Sequence, residues 1–269
     1  MPDQKPKVRP RPAATVVILR DGREGIEAFM VVRHHAIDFA SGALVFPGGK
    51  VDAEDADPVW TDLASSAGAG PDRSFVVAAA RETFEEAGLV LARRRGAQGL
   101  LGADEAHQLV QRYRAPLVKG EITYRDLIRN ENLQVATELM VPFAHWITPD
   151  VVPKRFDTHF FLVAAPVDQL GAHDGGESVE GLWITPRQAL READAGTRTL
   201  VFATLMNLRK LARYSSVAEA VLATRSSPVV TVMPRVQKTA DGRLMHIPEA
   251  AGYGVSQVLM PADSAPMKS

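Results

Sequence analysis

Residues 81–89 have the sequence RETFEEAGL, and this stretch decides how the rest of the chain is interpreted. On a helix, Glu82, Glu85 and Glu86 occupy positions i, i+3 and i+4, so their Cβ atoms lie within about 6 Å of one another on one face. Three like charges at that spacing destabilise an isolated helix. A hard divalent cation with oxygen ligands, Mg²⁺ or Mn²⁺, would compensate them. The alternative is a solvated acidic face with ordinary pairs such as Arg81 with Glu85.

The flanking residues predict an amphipathic helix over residues 73–87. Apolar side chains recur at helical spacing from Val77 to Ala87, on the face opposite the carboxylates. Asp72 or Ser74 is expected to cap the start of this helix, and Gly88 to follow its end. One side of the helix can therefore be buried while the other presents acidic groups.

A glycine turn precedes this helix in the chain. Residues 46–52 read FPGGKVD, and they follow a short apolar strand that Pro47 ends. Residues 56–72 contain the small-residue stretch ASSAGAGPD, which predicts an irregular insertion.

Together the two stretches resemble the Nudix box, G-x5-E-x7-R-E-U-x-E-E-x-G-U, in which U is aliphatic. Residues 81–89 match its second half, and counting from Gly49 puts the first glutamate position on Asp55. The chain departs from the pattern in three ways. Asp55 replaces glutamate, Thr83 replaces an aliphatic residue, and 25 residues separate Asp55 from Arg81 where the pattern has seven. The additional residues lie in a loop, where added length costs little free energy.

The split box, the stretch RFDTHFFL at Arg155–Leu162, the region around Trp183 and the long C-terminal extension are similar to one subgroup of Nudix hydrolases. This is the Nudix-type motif 19 subgroup, which is coenzyme A diphosphatase-like. The resemblance covers roughly residues 13–215. It implies an α/β fold, a Nudix-type α/β/α sandwich with a mixed sheet, helical insertions and a C-terminal extension.

The resemblance also implies a metal site. Its expected ligands are Glu82, Glu85, Glu86 and the backbone carbonyl of Gly48 or Gly49. The expected cofactor is Mg²⁺ or Mn²⁺, which would neutralise a pyrophosphate substrate. No group of histidines has the sequence spacing of a metal site.

Catalytic roles follow from the same resemblance. Arg81 is expected to hold a box glutamate by a charge-assisted hydrogen bond. Asp55 either supports the metal site or is an ordinary loop residue. The general base is either a box glutamate, Glu86, or a glutamate of the acidic loop 173–180; there Glu177 is the first choice and Glu180 the second.

Residues 13–19 and 26–32 are rich in β-branched side chains and flank the turn signal Asp21-Gly22, so they predict two strands of a β-hairpin. Arg33, at the end of the second predicted strand, is expected to contact a phosphate or the nucleotide. His34 and His35 could do the same, but polarity at a strand end is the preferred interpretation of this pair. His159 is interpreted first as structural.

The expected reaction is metal-dependent hydrolysis of the pyrophosphate in a nucleotide-linked small molecule. Coenzyme A or acyl-coenzyme A is the leading substrate, and ADP-ribose, NADH or another dinucleotide is the alternative. A hypothesis of another class is a catalytically silent Nudix fold that binds a nucleotide or a partner. The three intact box glutamates argue against it.

Composition excludes several kinds of site and limits the expected binding partners. The chain has 269 residues, a net charge of −1 and no cysteine, so disulfides, thiolate metal sites and cysteine nucleophiles are excluded. Without a basic field we expect no nucleic-acid partner. No apolar run approaches the roughly 20 residues of a membrane-spanning helix, and the Pro-rich N-terminus does not resemble a secretory signal. We therefore expect a cytoplasmic protein without membrane contact.

Three regions are expected along the chain. The first is a flexible basic arm over residues 1–12. The second is a Nudix hydrolase domain over 13–195 with an insertion at 56–72 and a helical segment at 103–140. The third is a C-terminal helical and hairpin extension over 196–269, whose hairpin is expected to turn at Asp241-Gly242. The insertion and the extension are expected to shape the pocket or the interface of a homodimer.

Overall fold

The structure is a computed structural model that describes residues 8–32, 43–65, 70–170 and 181–261. Its strands are β1 (Arg11–Gly22), β2 (Gly25–Val32), β3 (Leu44–Val45), β4 (Gly48–Lys50), β5 (Ala92–Arg94), β6 (Leu133–Val135), β7 (Val141–Ile147), β8 (Phe156–Ala164), β9 (Gly181–Ile184), β10 (Thr231–Val232), β11 (Arg235–Thr239), β12 (Gly242–His246) and β13 (Gln257–Pro261). Its α-helices are α1 (Trp60–Leu63), α2 (Arg73–Glu82), α3 (Ala103–Val118), α4 (Tyr124–Asn130), α5 (Val167–Leu170), α6 (Pro186–Asp194), α7 (Phe202–Leu211) and α8 (Val217–Arg225). Among the described residues, no helix combines the length and the apolar character needed to cross a bilayer.

The main sheet has eight strands of mixed direction. Its order is β10-β7-β8-β1-β2-β3, with β4 also paired to β1 and β9 also paired to β2. β1 runs parallel to β8, and β10 runs parallel to β7. The other pairs are antiparallel, including the β1–β2 hairpin, whose two strands the sequence predicts.

The side chains of β1 alternate between two cores, one on each face of the main sheet, so the molecule has three layers. Ala14, Val16 and Ile18 face a core that includes α2, whereas Val17 and Leu19 face a second core that includes α7 and α8. Successive strand residues point to opposite faces of a sheet, so a strand with both faces apolar requires a helical layer on each side. The predicted α/β/α sandwich is confirmed.

The predicted insertion at residues 56–72 is more ordered than expected. It contains α1, preceded by a 3₁₀ turn at Ala53–Ala56. Trp60 is 1% exposed, donates its Nε1–H to the Glu54 carbonyl at 2.8 Å and stacks on Tyr124. Burial of this large aromatic side chain anchors the segment, which corrects the expectation of an irregular insertion for its described part.

The predicted helical segment at 103–140 is only partly helical. α3 and α4 account for its first part, but β6 then pairs antiparallel with β5. Leu133 and Val135 are fully buried and Gln134 is not, which is the alternation of a strand. Three residues are too few for that period to be recognised in the sequence.

The boundaries of the two terminal regions also differ from expectation. β1 already begins at Arg11, whose N–H donates to the Arg155 carbonyl at 2.9 Å, so the end of the predicted arm belongs to the sheet. β10 extends the main sheet beside β7, and α7 and α8 cover its second face. These three elements of the predicted extension, α7, α8 and β10, therefore share the core of the domain. The predicted hairpin at Asp241-Gly242 is present between β11 and β12.

Candidate active site

Arg81, at the end of α2, is the centre of a buried ion-pair network. Its Nε and Nη2 groups donate to the two carboxylate oxygens of Asp55 at 3.1 and 2.9 Å. Nη2 also donates to the Lys50 carbonyl at 2.9 Å and lies 3.5 Å from the Asp52 carboxylate. Because guanidinium and carboxylate meet through two parallel hydrogen bonds, this pair fixes the 3₁₀ turn against the helix across the insertion.

The third guanidinium nitrogen of Arg81 reaches two box glutamates. Nη1 donates to Glu82 Oε1 at 2.9 Å and to Glu85 Oε1 at 3.2 Å. The side chains of these glutamates are 9% and 20% exposed. The hydrogen bond that the sequence predicts from Arg81 to one glutamate is therefore made to two of them.

The glycine turn lies against two of the three box glutamates, Glu82 and Glu86. The Gly48 N–H donates to Glu86 Oε2 at 2.8 Å. A Cβ atom added to Gly49 would lie 2.3 Å from Glu82 Oε1, and one added to Gly48 would lie 2.4 Å from the Ala14 carbonyl. Only glycine lets β4 fit between β1 and the glutamates. The role of the Gly48 carbonyl as a ligand remains a prediction.

Two of the box glutamates have a raised pKa, chiefly because they are buried. Burial raises the pKa of Glu82 to about 8; Arg81 opposes the shift, and the nearby Glu85 and Glu86 add to it. Burial also raises the pKa of Glu85 against the opposing effect of Arg81. The arrangement thus favours either proton uptake or an added cation.

The end of the acidic helix is a π-helical turn, which corrects the predicted continuous α-helix over 73–87. α2 ends at Glu82, and Thr83–Ala87 form the wider turn. The Thr83 hydroxyl donates to the Ala79 carbonyl at 2.8 Å, a bond that competes with regular helical pairing. Gly88 then ends the helix in the left-handed conformation, with φ 63°, and Asp72 caps its start, both as predicted.

Arg114 of α3 is a contact of this turn that the sequence did not indicate. Its Nε donates to the Glu85 carbonyl at 2.7 Å, and its Nη2 donates to the Glu86 carbonyl at 3.2 Å. These carbonyls belong to a helix end, where a guanidinium satisfies unpaired acceptors and the helix dipole. No local pattern marks Arg114, because its partners lie almost 30 positions earlier in the chain.

Five candidate residues lie outside the described residues: Arg33, His34, His35, Glu177 and Glu180. Asp55 is brought to the centre of the site, where it is 2% exposed and paired with Arg81. His159, interpreted first as structural, lies near His145 and Asp157, and these three offer ligand atoms within 4.8 Å of one another. The sequence missed this group because His145 is distant from the other two along the chain.

Comparisons with known proteins identify the family of the chain. The family model described as "NUDT19 Nudix domain" matches residues 70–211, just over half of the chain. A Caenorhabditis elegans protein named as nudix hydrolase 7 is 31% identical over 173 residues, which are 64% of this chain and 50% of that protein. The Xenopus laevis protein "Acyl-coenzyme A diphosphatase NUDT19" is 21% identical over an alignment of 206 residues that covers 62% of this chain and 54% of that protein. The chain thus spans about half the length of the curated relatives it matches.

Among solved structures, the NUDIX hydrolase from Alicyclobacillus acidocaldarius superposes with a TM-score of 0.61 at 27% identity. The match covers 83% of this chain and 99% of that chain. The fold, the acidic helix facing a glycine turn and the family match therefore agree, and the chain belongs to the Nudix hydrolases, in the family described by the NUDT19 Nudix domain.

Proposed function

We propose that this Nudix hydrolase cleaves the pyrophosphate bond of a nucleoside diphosphate-linked substrate with the help of Mg²⁺ or Mn²⁺. The observation that carries the proposal is the cluster of box carboxylates beside the glycine turn: the Gly48 N–H binds Glu86, Arg81 binds both Glu82 and Glu85, and burial raises the pKa of Glu82 to about 8.

The donor set fits a hard divalent cation. The three glutamates offer only oxygen atoms, the ligands that Mg²⁺ and Mn²⁺ prefer, and a backbone carbonyl of the glycine turn at Gly48 would add another. The raised pKa of Glu82, about 8, is the second indication, since a cation nearby would hold that carboxylate ionised. When bound, the ion would neutralise the pyrophosphate oxygens and the developing charge on the leaving phosphate.

The protein's own residues orient this machinery. Arg81 holds Glu82 and Glu85 from one nitrogen while Asp55 holds Arg81 from the other side, so neither glutamate turns toward solvent. The Gly48 N–H fixes one oxygen of Glu86. Glu86 is the candidate base among the described residues, and it would take the proton of the attacking water. Glu177, and after it Glu180, are the alternative bases.

For the substrate, we propose coenzyme A or acyl-coenzyme A, cleaved to phosphopantetheine and adenosine 3′,5′-bisphosphate. The family match and the name of the Xenopus laevis relative support this choice. Arg33 is proposed to contact a phosphate. ADP-ribose, NADH or another dinucleotide is the second candidate, with the same bond broken. A silent nucleotide-binding module is the third, and the intact carboxylates disfavour it.

The test is a hydrolysis screen with each metal over coenzyme A, acetyl-coenzyme A, ADP-ribose, NADH and diadenosine polyphosphates, with products identified by mass spectrometry. Metal-dependent release of adenosine 3′,5′-bisphosphate is the expected result. Glu85→Gln and Glu86→Gln should each lower kcat by at least about 100-fold, the lower end of what general acid–base groups contribute. Glu249→Gln, at an exposed position, is the matched control and should leave kcat unchanged. Full activity in both box variants would contradict the site, and cleavage of another substrate would contradict only the choice of coenzyme A.

A further inference from the structure

A second group of metal-binding side chains lies on β7 and β8. Asp157 and His159 are two positions apart on β8, so both point to the same face of the sheet. His145 on β7 is the direct cross-strand partner of His159. Strand alternation and strand pairing thus bring together three candidate ligands that are separated along the sequence.

The three side chains are close enough for one ion. Their ligand atoms all lie within 4.8 Å of one another, and His145 Nε2 is 2.5 Å from Asp157 Oδ1. The imidazole rings of His145 and His159 stack at 3.9 Å with an interplanar angle of 9°. At metal–ligand distances of about 2.0–2.2 Å, tetrahedral ligand atoms are roughly 3.4 Å apart, which small side-chain rotations can reach here.

The surroundings of the group suit a metal centre. The His145 Nδ1 atom lies 2.8 Å from Thr231 Oγ1 of β10, which leaves Nε2 to face Asp157. Metal-binding histidines commonly use their second ring nitrogen in this way, and the bond fixes the tautomer and the ring orientation. Phe75 of α2 packs edge-on against His159 with ring centroids 4.5 Å apart and shields one side.

We propose that His145, Asp157 and His159 bind one transition-metal ion of the zinc class, at a site separate from the box glutamates. Two imidazole nitrogens and one carboxylate oxygen are softer donors than three carboxylates, and they favour Zn²⁺ over Mg²⁺. The strand registers show how far apart the two sites are. His159 of β8 pairs with Ala14 of β1, and Ala14 pairs with Gly49 of β4. Two strand spacings, about 10 Å, therefore lie between His159 and the glycine turn. The ion would tie β7 to β8, with β10 held through Thr231.

The site is tested by titrating zinc into the untagged full chain after chelator treatment, in saturating Mg²⁺ so that the box glutamates do not compete. Isothermal titration should give one Zn²⁺ per chain, and zinc should raise the melting temperature. His145→Asn and Asp157→Asn should each weaken zinc binding by at least about 100-fold, and Thr231→Val by about 10–100-fold, the effect typical of a residue that orients a ligand.

Two controls separate this site from other zinc binding. His246→Asn removes a histidine of β12 whose Nε2 pairs with Gln237, and it should bind zinc as the unaltered chain does. Glu85→Gln should lose hydrolysis but keep the zinc affinity. If the His145 variant bound zinc as tightly as the unaltered chain, or if the folded chain bound no zinc at all, the proposal would be overturned. Should the His145 variant fail to fold by circular dichroism, the Asp157 and Thr231 variants decide the question in the same assay.

Discussion

Replacement of Glu82 by glutamine tests the raised pKa that supports the proposed metal site. In the folded chain the pKa of Glu82 is raised from 4.5 to about 8, chiefly by burial. A group whose pKa is higher in the folded state stabilises that state fully only below its unfolded pKa, and this contribution is lost as the pH rises toward the folded pKa. The metal-free protein should therefore lose stability from Glu82 across the range from 4.5 to about 8.

The size of this loss follows from the two pKa values. One pKa unit corresponds to about 1.4 kcal/mol, and integration of the linkage relation from pH 5 to pH 8 predicts a loss of about 3–4 kcal/mol from this one carboxyl group. Glu82→Gln has a similar shape and retains an oxygen that accepts from Arg81, but it does not titrate. As the pH rises from 5 to 8, the unfolding free energy of the variant should thus increase by about 3–4 kcal/mol relative to that of the unaltered chain.

The assay is urea unfolding of both proteins in the presence of a chelator, at pH 5 and at pH 8. At each pH the unfolding free energy of the unaltered chain is subtracted from that of the variant, and the two differences are compared. Other titrating groups occur in both proteins and largely cancel. Mg²⁺ should restore stability to the unaltered chain at pH 8 and do less for the variant, which should also be inactive. If the difference were the same at both pH values, Glu82 would be ionised in the metal-free fold, and the reasoning from burial would be refuted.

Three further predictions concern the supports of the site. Arg114→Met removes two hydrogen bonds to the π-helical turn and should lower the unfolding free energy by about 2–3 kcal/mol, measured by urea unfolding. The control is Arg112→Met, at a side chain that is 70% exposed, and it should change the unfolding free energy by less than about 0.5 kcal/mol. Gly49→Ala places a Cβ atom 2.3 Å from a box carboxylate and should lower kcat/KM by about 100-fold. The control is Gly99→Ala, where a Cβ atom meets nothing within 4 Å, and it should leave kcat/KM unchanged. Equal activities of the two variants would show that the close approach at Gly49 is unimportant. Trp60→Ala should destabilise the fold by about 3–5 kcal/mol in thermal or urea unfolding, and a change under 1 kcal/mol would mean that the insertion is not anchored in the core.

Local patterns were sufficient for much of the fold. The spacing of apolar and acidic residues from Val77 to Glu86 predicted a helix with one buried and one acidic face, and Gly88 predicted its end. β-Branched runs separated by turn residues predicted the hairpin of β1 and β2. These signals are readable because the side-chain periods of helices and strands, 3.6 and 2, are properties of a few consecutive residues.

Elements without a local signal were mispredicted. β6 is too short for its alternation to register, and the π-helical turn depends on Thr83 and on a guanidinium from another helix. Trp60 looked like part of a loop because its partner, Tyr124, lies 64 positions away. In each of these cases tertiary contacts outweigh intrinsic preference.

The residue types of the active site were likewise visible in the sequence, but their arrangement was not. The amino-acid sequence alone identified the acidic helix, the glycine turn and the family they resemble, because that chemistry requires particular residues at fixed spacing. Only the tertiary structure decided that Asp55 pairs with Arg81 across an insertion, that Arg114 binds the end of the helix, and that His145 meets Asp157 and His159. Such contacts depend on strand register and helix packing, which bring together side chains that no local period connects.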